Sequence, residues 1–155
     1  MGYEIRNAIA SDVEGIKKIL DSSGLFPSEY LNEMISEYLT NQASEEIWFT
    51  YLEDGQSVGF GYCIPENLTD GTYNLLAIAV NKESQGSGIG NKMLKYLEDE
   101  LKRQQKRILI VDTSSNDDYA LTRSFYLKAG YSKVATIKDF WKDGEDKVTF
   151  YKRLL

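Results

Sequence analysis

The sequence predicts an α/β (α+β mixed-sheet) protein: a central mixed β-sheet of about seven strands flanked by about four helices. Three observations carry that prediction. Runs with strand patterning and stripes with helical spacing follow one another in the order β-α-α-β-β-β-α-β-α-β-β. A nearly continuous apolar run, Tyr73 to Val80, reads as a strand buried in the middle of a sheet. Directly after it, alternating glycines open an amphipathic helix.

The elements follow in order. Tyr3 to Asn7 reads as a short strand. Ser11 and Glu14 have capping-box spacing, and Val13, Ile16, Ile19 and Leu20 make an apolar helix stripe that Gly24 closes. Ser28 starts a second helix, with Leu31, Met34, Ile35, Tyr38 and Leu39 on one face. Glu46 to Leu52 and Ser57 to Ile64 read as strands joined by the turn Glu53-Asp54-Gly55-Gln56. The helix after the glycines carries Ile89, Met93, Leu94, Leu97 and Leu101. Arg107 to Val111 is a further buried strand, and Tyr119 to Lys128 a helix ending at Gly130. Ser132 to Phe140 and Lys147 to Leu154 close the sheet around Gly144.

A length of 155 residues fits one domain, residues 1–155. The net charge of -6 argues against nucleic acid, since phosphate contacts need basic patches. It suits solubility, and also the long-range attraction of a cationic amine. No run of 18 apolar residues occurs, so no membrane partner is expected. The stretch Met1 to Ala10 lacks the apolar core of a signal peptide, and a cytoplasmic protein is expected. With no histidine, triads built on imidazole and histidine-ligated zinc sites are excluded, and no metal is expected. Proton transfer falls to carboxylates, tyrosine, lysine, the thiol or water. Cys63, the single cysteine, reads as a buried inert thiol. Trp48, Phe49, Tyr51, Phe60 and Tyr62 alternate irregularly, which leaves core and acceptor-pocket roles both open.

The most informative segment is Leu75 to Gly90. Glycines let backbone approach a ligand and aim successive N–H groups at it. The helix they open presents unpaired donors and a positive dipole end, which suits a phosphate. A P-loop is absent, and the Rossmann pattern loses its third glycine to Asn91, although Asp112 falls roughly where that motif's ribose-binding acid would stand. A NAD-type binding protein therefore stays as one alternative.

Gln85-Gly86-Ser87-Gly88-Ile89-Gly90 resembles the Gln/Arg-x-x-Gly-x-Gly/Ala pyrophosphate signature of the GNAT superfamily of acyl-CoA-dependent N-acyltransferases. Leu76-Ala77-Ile78-Ala79-Val80 resembles that family's fourth strand, and Phe125-Tyr126-Leu127-Lys128-Ala129-Gly130-Tyr131 its Phe-Tyr-x-x-x-Gly-Phe/Tyr segment. Asp112-Thr113-Ser114, Thr122-Arg123-Ser124-Phe125-Tyr126, Asp139-Phe140-Trp141 and Gly144-Glu145-Asp146 resemble a bacterial subgroup of small members.

The resemblance implies acetyl transfer from acetyl-CoA to a primary amine. It implies that Gln85, Gly86, Ser87, Gly88, Ile89 and Gly90 hold the diphosphate, and that Ile78, Ala79 and Val80 offer main chain to the pantetheine arm. Tyr126 would be the general acid beside the sulfur, a role its phenol suits. Many relatives carry glutamate about where Asn74 stands, and an amide cannot serve as that base. Asp112 is then one candidate base, with a loop-ordering role as its alternative, and a water chain is another. Tyr119 replaces the asparagine that many relatives place seven residues before the tyrosine, so that contact is not expected. Arg123 reads as either a phosphate ligand or a helix-surface arginine. The acceptor would be a small-molecule or peptide amine, and the chain a monomer or a homodimer. A non-catalytic acyl-CoA-binding module stays as the second alternative.

Overall fold

The structure, a computed structural model, describes residues 2–155; Met1 lies outside the described residues. The seven strands are β1 (Tyr3–Asn7), β2 (Ile47–Glu53), β3 (Gln56–Pro65), β4 (Thr72–Val80), β5 (Ile108–Ser114), β6 (Ser132–Lys142) and β7 (Glu145–Arg153). The four α-helices are α1 (Val13–Ser23), α2 (Leu31–Thr40), α3 (Ile89–Arg103) and α4 (Ala120–Lys128). The sheet order is β1-β2-β3-β4-β5-β7-β6, with β4 and β5 parallel and β5, β7 and β6 antiparallel in turn. The mixed sheet expected from the sequence is the one found. By contacts the chain falls into two compact units, Met1–Ile64 with Leu76–Asp99, and Pro65–Leu75 with Glu100–Leu155.

In the first unit α1 and α2 bury Ile16, Ile19, Leu20, Leu31 and Ile35 in a core with Trp48, Phe60, Ala77 and Ala79. The aromatic residues left open by the sequence are all inside: Trp48, Phe49, Tyr51, Phe60 and Tyr62 are buried, and Trp48 stacks on Tyr62 at 3.9 Å between ring centroids. Two glycines of β3 make room for this packing. A Cβ at Gly59 would sit 2.9 Å from the Met93 sulfur, and one at Gly61 would overlap the Phe49 ring. Asp54 and Gly55 both take positive φ, 50° and 80°, as the two-residue β2–β3 turn requires. Cys63 is fully buried, and burial pushes its thiol well above the usual range.

The start of α1 corrects the capping-box expectation. A 3₁₀ turn over Ala10–Asp12 precedes the helix, and the carboxylate that orders it is Asp12, not Ser11 or Glu14. Asp12 accepts the Ile9 N–H at 2.8 Å and two bonds from the Arg6 guanidinium at 2.7 and 3.1 Å. Gly24, at φ 71°, ends α1 with its N–H on the Leu20 carbonyl. Likewise a 3₁₀ turn over Ser28–Tyr30 leads into α2, and another over Asp117–Tyr119 into α4.

In the second unit β5 pairs along its length with β7, from Ile108 opposite Arg153 to Ser114 opposite Lys147. Asp112 therefore lies inside a strand, not at its end. The β6–β7 hairpin turns at Gly144, φ 85°. Strand β6 is exposed throughout, and its register breaks between Ile137 and Lys142, where Asp139 takes φ 57°. Among the described residues no helix is long and apolar enough to cross a membrane.

Candidate functional site

The glycine loop lies in the first unit and is built by the strand before it and the helix after it. Ala77 and Ala79 point into the core, while Leu76, Ile78 and Val80 on the other face of β4 are exposed or half-buried. An apolar strand face left open in the body of a sheet is unusual, and here it leads straight to the loop. A 3₁₀ turn over Lys82–Ser84 follows β4, anchored by the Lys82 N–H on the Ser22 hydroxyl at 2.8 Å. Gln85 then folds back, and its Nε2 donates to the Val80 carbonyl at 3.1 Å. The Ser87 hydroxyl donates to the Ser84 carbonyl at 2.6 Å. These side-chain bonds brace the loop.

Gly86 and Gly88 both take φ 84°, and a Cβ at either would meet nothing within 4 Å. Positive φ at alternate residues turns the intervening N–H groups toward one concavity. The first turn of α3 follows at once, with its unsatisfied donors and dipole. Backbone donors in such an arrangement suit an anion such as a diphosphate. Ile89 is buried, so its contribution is its backbone alone, and Gly90 is half-buried in the same turn.

The second unit carries the titratable candidates. Tyr126 on α4 is 2% exposed and meets Phe125, Tyr131 and Phe150 ring to ring. Burial pushes its phenol well above the ordinary tyrosine value. Burial thus favours the protonated, neutral phenol.

Asp112 is held by a network. Its Oδ1 accepts from the Thr149 hydroxyl at 2.6 Å, its Oδ2 accepts from Asn74 Nδ2 at 3.4 Å, and Lys147 Nζ lies 3.9 Å away. The Asn74 amide also donates to Glu66 Oε2 at 3.2 Å. Glu66 was not singled out from the sequence. Nothing in the sequence marks it: in the fold the Glu66 N–H bonds the Thr72 carbonyl, which brings Glu66 beside Asn74 two residues along.

Arg123 is not a free surface arginine. Its Nη1 donates to the carbonyls of Ser114 and Asn116 at 2.7 and 2.8 Å, tying α4 to the loop after β5. The subgroup residues share that work. The Ser114 hydroxyl meets Glu145 Oε2 at 2.6 Å, the Asp146 carboxylate accepts the Asp139 N–H at 2.9 Å, and Asp139 accepts the Gly144 N–H at 2.8 Å. These motifs latch the hairpin to β5. Tyr119 is 42% exposed at the head of α4.

A mixed sheet whose fourth strand runs through a glycine loop into a helix places the chain among α/β proteins. The family model described as the acetyltransferase (GNAT) family matches residues 15–131. An acetyltransferase of that family from Desulfovibrio desulfuricans has a crystal structure similar to this chain with a TM-score of 0.93 and 28% identity, over 99% of this chain and 100% of that one. An uncharacterized N-acetyltransferase of Methanocaldococcus jannaschii is 31% identical over 103 residues, 64% of this chain. The chain spans 62% of the length of that curated relative. A protein of Salmonella typhimurium whose structure contains its cofactor acetyl-CoA shares the fold, with a TM-score of 0.83 at 19% identity over 100% of this chain and 95% of that one. The chain belongs to the GNAT acetyltransferase family.

Proposed function

We propose that the chain is a single N-acetyltransferase domain, residues 1–155, that transfers an acetyl group from acetyl-CoA to a primary amine by direct attack in a ternary complex. The observation that carries the reading is the pair of open, positive-φ glycines, Gly86 and Gly88, at the head of α3. Membership of the family makes CoA diphosphate the anion to expect there.

The roles divide by chemistry. Backbone donors of Gln85 to Gly90 hold the diphosphate. Main chain at Ile78, Ala79 and Val80 aligns the pantetheine arm along the open face of β4. The Val80 carbonyl already accepts from Gln85, so the pairing there uses its remaining lone pair or its neighbours. Acetyl-CoA supplies the thioester carbonyl. The amine nitrogen attacks that carbon, the C–N bond forms and the C–S bond breaks. Asp112 takes the proton the amine loses. Tyr126 donates a hydrogen bond to the departing sulfur, and the raised proton affinity of the buried phenol keeps the hydrogen on its oxygen, so the contact is a hydrogen bond and not a completed transfer. Solvent completes protonation of the CoA thiol.

A small-molecule or peptide amine is the acceptor, and the net charge of -6 speaks against nucleic acid and membrane surfaces as partners. We place the protein in the cytoplasm, as a monomer or a homodimer. One observation favours a second reading, an acyl-CoA-binding module without turnover: Asn74 occupies the strand position where an acid would act, and its amide takes no proton.

The test is thermal unfolding with saturating acetyl-CoA, with NAD as the control, followed by CoA release with amines. A rise with acetyl-CoA alone supports the cofactor, and release of CoA with an amine supports the enzyme over the binding module. No rise would overturn both readings. Asp112→Asn that keeps full activity at alkaline pH would remove Asp112 as the base.

A further inference from the structure

The cluster around Asn74 has an imbalance. Its amide nitrogen serves two carboxylates, Glu66 at 3.2 Å and Asp112 at 3.4 Å, while its carbonyl oxygen Oδ1 is buried with no hydrogen-bond partner. Asn74 is 7% exposed. A buried acceptor left unpaired is costly, and amide oxygens in folded proteins rarely stay so. Exchanging the amide ends does not relieve it, because the oxygen would then face two carboxylates. What the cluster lacks is a donor.

Charge points the same way. Two carboxylates gather on one amide, and the cation recorded beside them is Lys147, 3.9 Å from Asp112. Thr149 contributes a neutral hydroxyl. Two carboxylates thus gather beside one recorded ammonium. A further primary ammonium supplies the missing donor and suits the carboxylates, since it carries a positive charge and three N–H donors with no acceptor.

We infer that Glu66, Asn74 and Asp112 form the recognition site for the acceptor, and that the acceptor is a cationic amine carrying no anionic group close to its reacting nitrogen. The inference rests on the acetyltransferase reading and deepens it. The bound ammonium sheds one proton to solvent before it attacks and Asp112 takes the second as the amide forms, Asn74 Oδ1 accepts one of its N–H groups, and Glu66 sets specificity by favouring positive and repelling negative charge on the same molecule. Amines with a further positive charge are better substrates than neutral-tailed ones, and amines bearing a carboxylate are worse.

The experiment uses three acceptors of matched length: 1,4-diaminobutane, n-butylamine and 4-aminobutanoate. CoA release gives kcat/KM for each with the full chain and with Glu66→Gln, whose amide oxygen can still accept from Asn74. Acetyl-CoA-induced thermal shifts are recorded alongside. The expected order is diamine, then butylamine, then aminobutanoate, with at least a tenfold span. In Glu66→Gln the span shrinks at least threefold while the acetyl-CoA shift is unchanged. Equal use of all three, preference for aminobutanoate, or an unchanged span in Glu66→Gln would overturn the inference. So would transfer to none of the three by a chain that binds acetyl-CoA, which leaves the cofactor reading intact. Absence of an acetyl-CoA shift would sink the underlying reading instead. The order in the unaltered chain decides the matter should Glu66→Gln not fold.

Discussion

Gly88→Ala separates a ligand cradle from a simple turn. Gly88 takes φ 84°, and an added Cβ meets nothing within 4 Å in the free chain. The free protein therefore loses only what a side chain costs in the left-handed region, roughly 1–2 kcal/mol. Gly55 in the β2–β3 turn has φ 80° and equally open surroundings, so Gly55→Ala carries the same backbone cost at a place with no proposed ligand. In a domain this size both variants should melt roughly 2–8 °C lower. They part when acetyl-CoA is added. At about 100 times its dissociation constant it stabilises the unaltered chain by roughly 2.7 kcal/mol, a rise of roughly 5–10 °C. A methyl group in the cradle displaces the diphosphate from at least one charge-assisted N–H contact, a loss of about 2 kcal/mol. That leaves the same ligand at about three times its dissociation constant, and the gain falls to about 0.9 kcal/mol. Differential scanning fluorimetry of the three proteins, with and without acetyl-CoA, reads this directly. An equal acetyl-CoA shift in Gly88→Ala and Gly55→Ala would refute the placement of the diphosphate.

Other outcomes test single links. Tyr126→Phe should lower turnover about a hundredfold while leaving the acetyl-CoA thermal shift unchanged; full activity in steady-state assays would remove Tyr126 from the chemistry. Because burial raises the Tyr126 phenol, an alkaline fall in wild-type activity below pH 10 that vanishes in Tyr126→Phe would contradict its placement. Desolvation of Asp12 works against its charge, yet its bonds from Arg6 and Ile9 prevail and its folded value lies below the ordinary one. The stability it contributes is thus present above the unfolded carboxylate value, about 3.9, and is lost as pH falls through the folded one. Melting temperatures below about pH 4 should fall more steeply for the unaltered chain than for Asp12→Asn, and parallel curves would deny the link. Gly61→Ala should cost roughly 1–3 kcal/mol by overlap with Phe49, and Phe49→Leu in the same chain should recover part of it. Strict additivity in a double-mutant cycle of melts would rule out that contact.

Much of the fold was legible because local chemistry and tertiary packing agree. Gly24, the Asp54-Gly55 turn and the glycine loop all demand a backbone that few residues tolerate, and each is found as read. The misreadings come from partners distant in sequence. Ser11 has the form of a cap, but Arg6 brings a guanidinium to Asp12 and the neighbouring carboxylate takes over. The strand read as Arg107 to Val111 runs on to Ser114, because β7 pairs with it that far. Strand β2 is buried on both faces, so its aromatic residues show no alternation to read. In the candidate site, Gly86 and Gly88 were visible as a motif. Glu66 acquires meaning only from the hairpin register that sets it beside Asn74. Arg123 offers a charge in the sequence, and only the fold shows that its Nη1 ties two loop carbonyls.

The outer strand β6 has a consequence for behaviour in concentrated solution. Eleven exposed residues at a sheet margin, among them Val134, Ile137, Phe140 and Trp141, form the kind of rim on which a second chain could nucleate ordered aggregation. The kink at Asp139 interrupts that rim, and Lys133, Lys138 and Lys142 stud it with charge. Together they act as a colloidal safeguard, keeping a long sticky margin from templating growth while leaving its aromatic tip free.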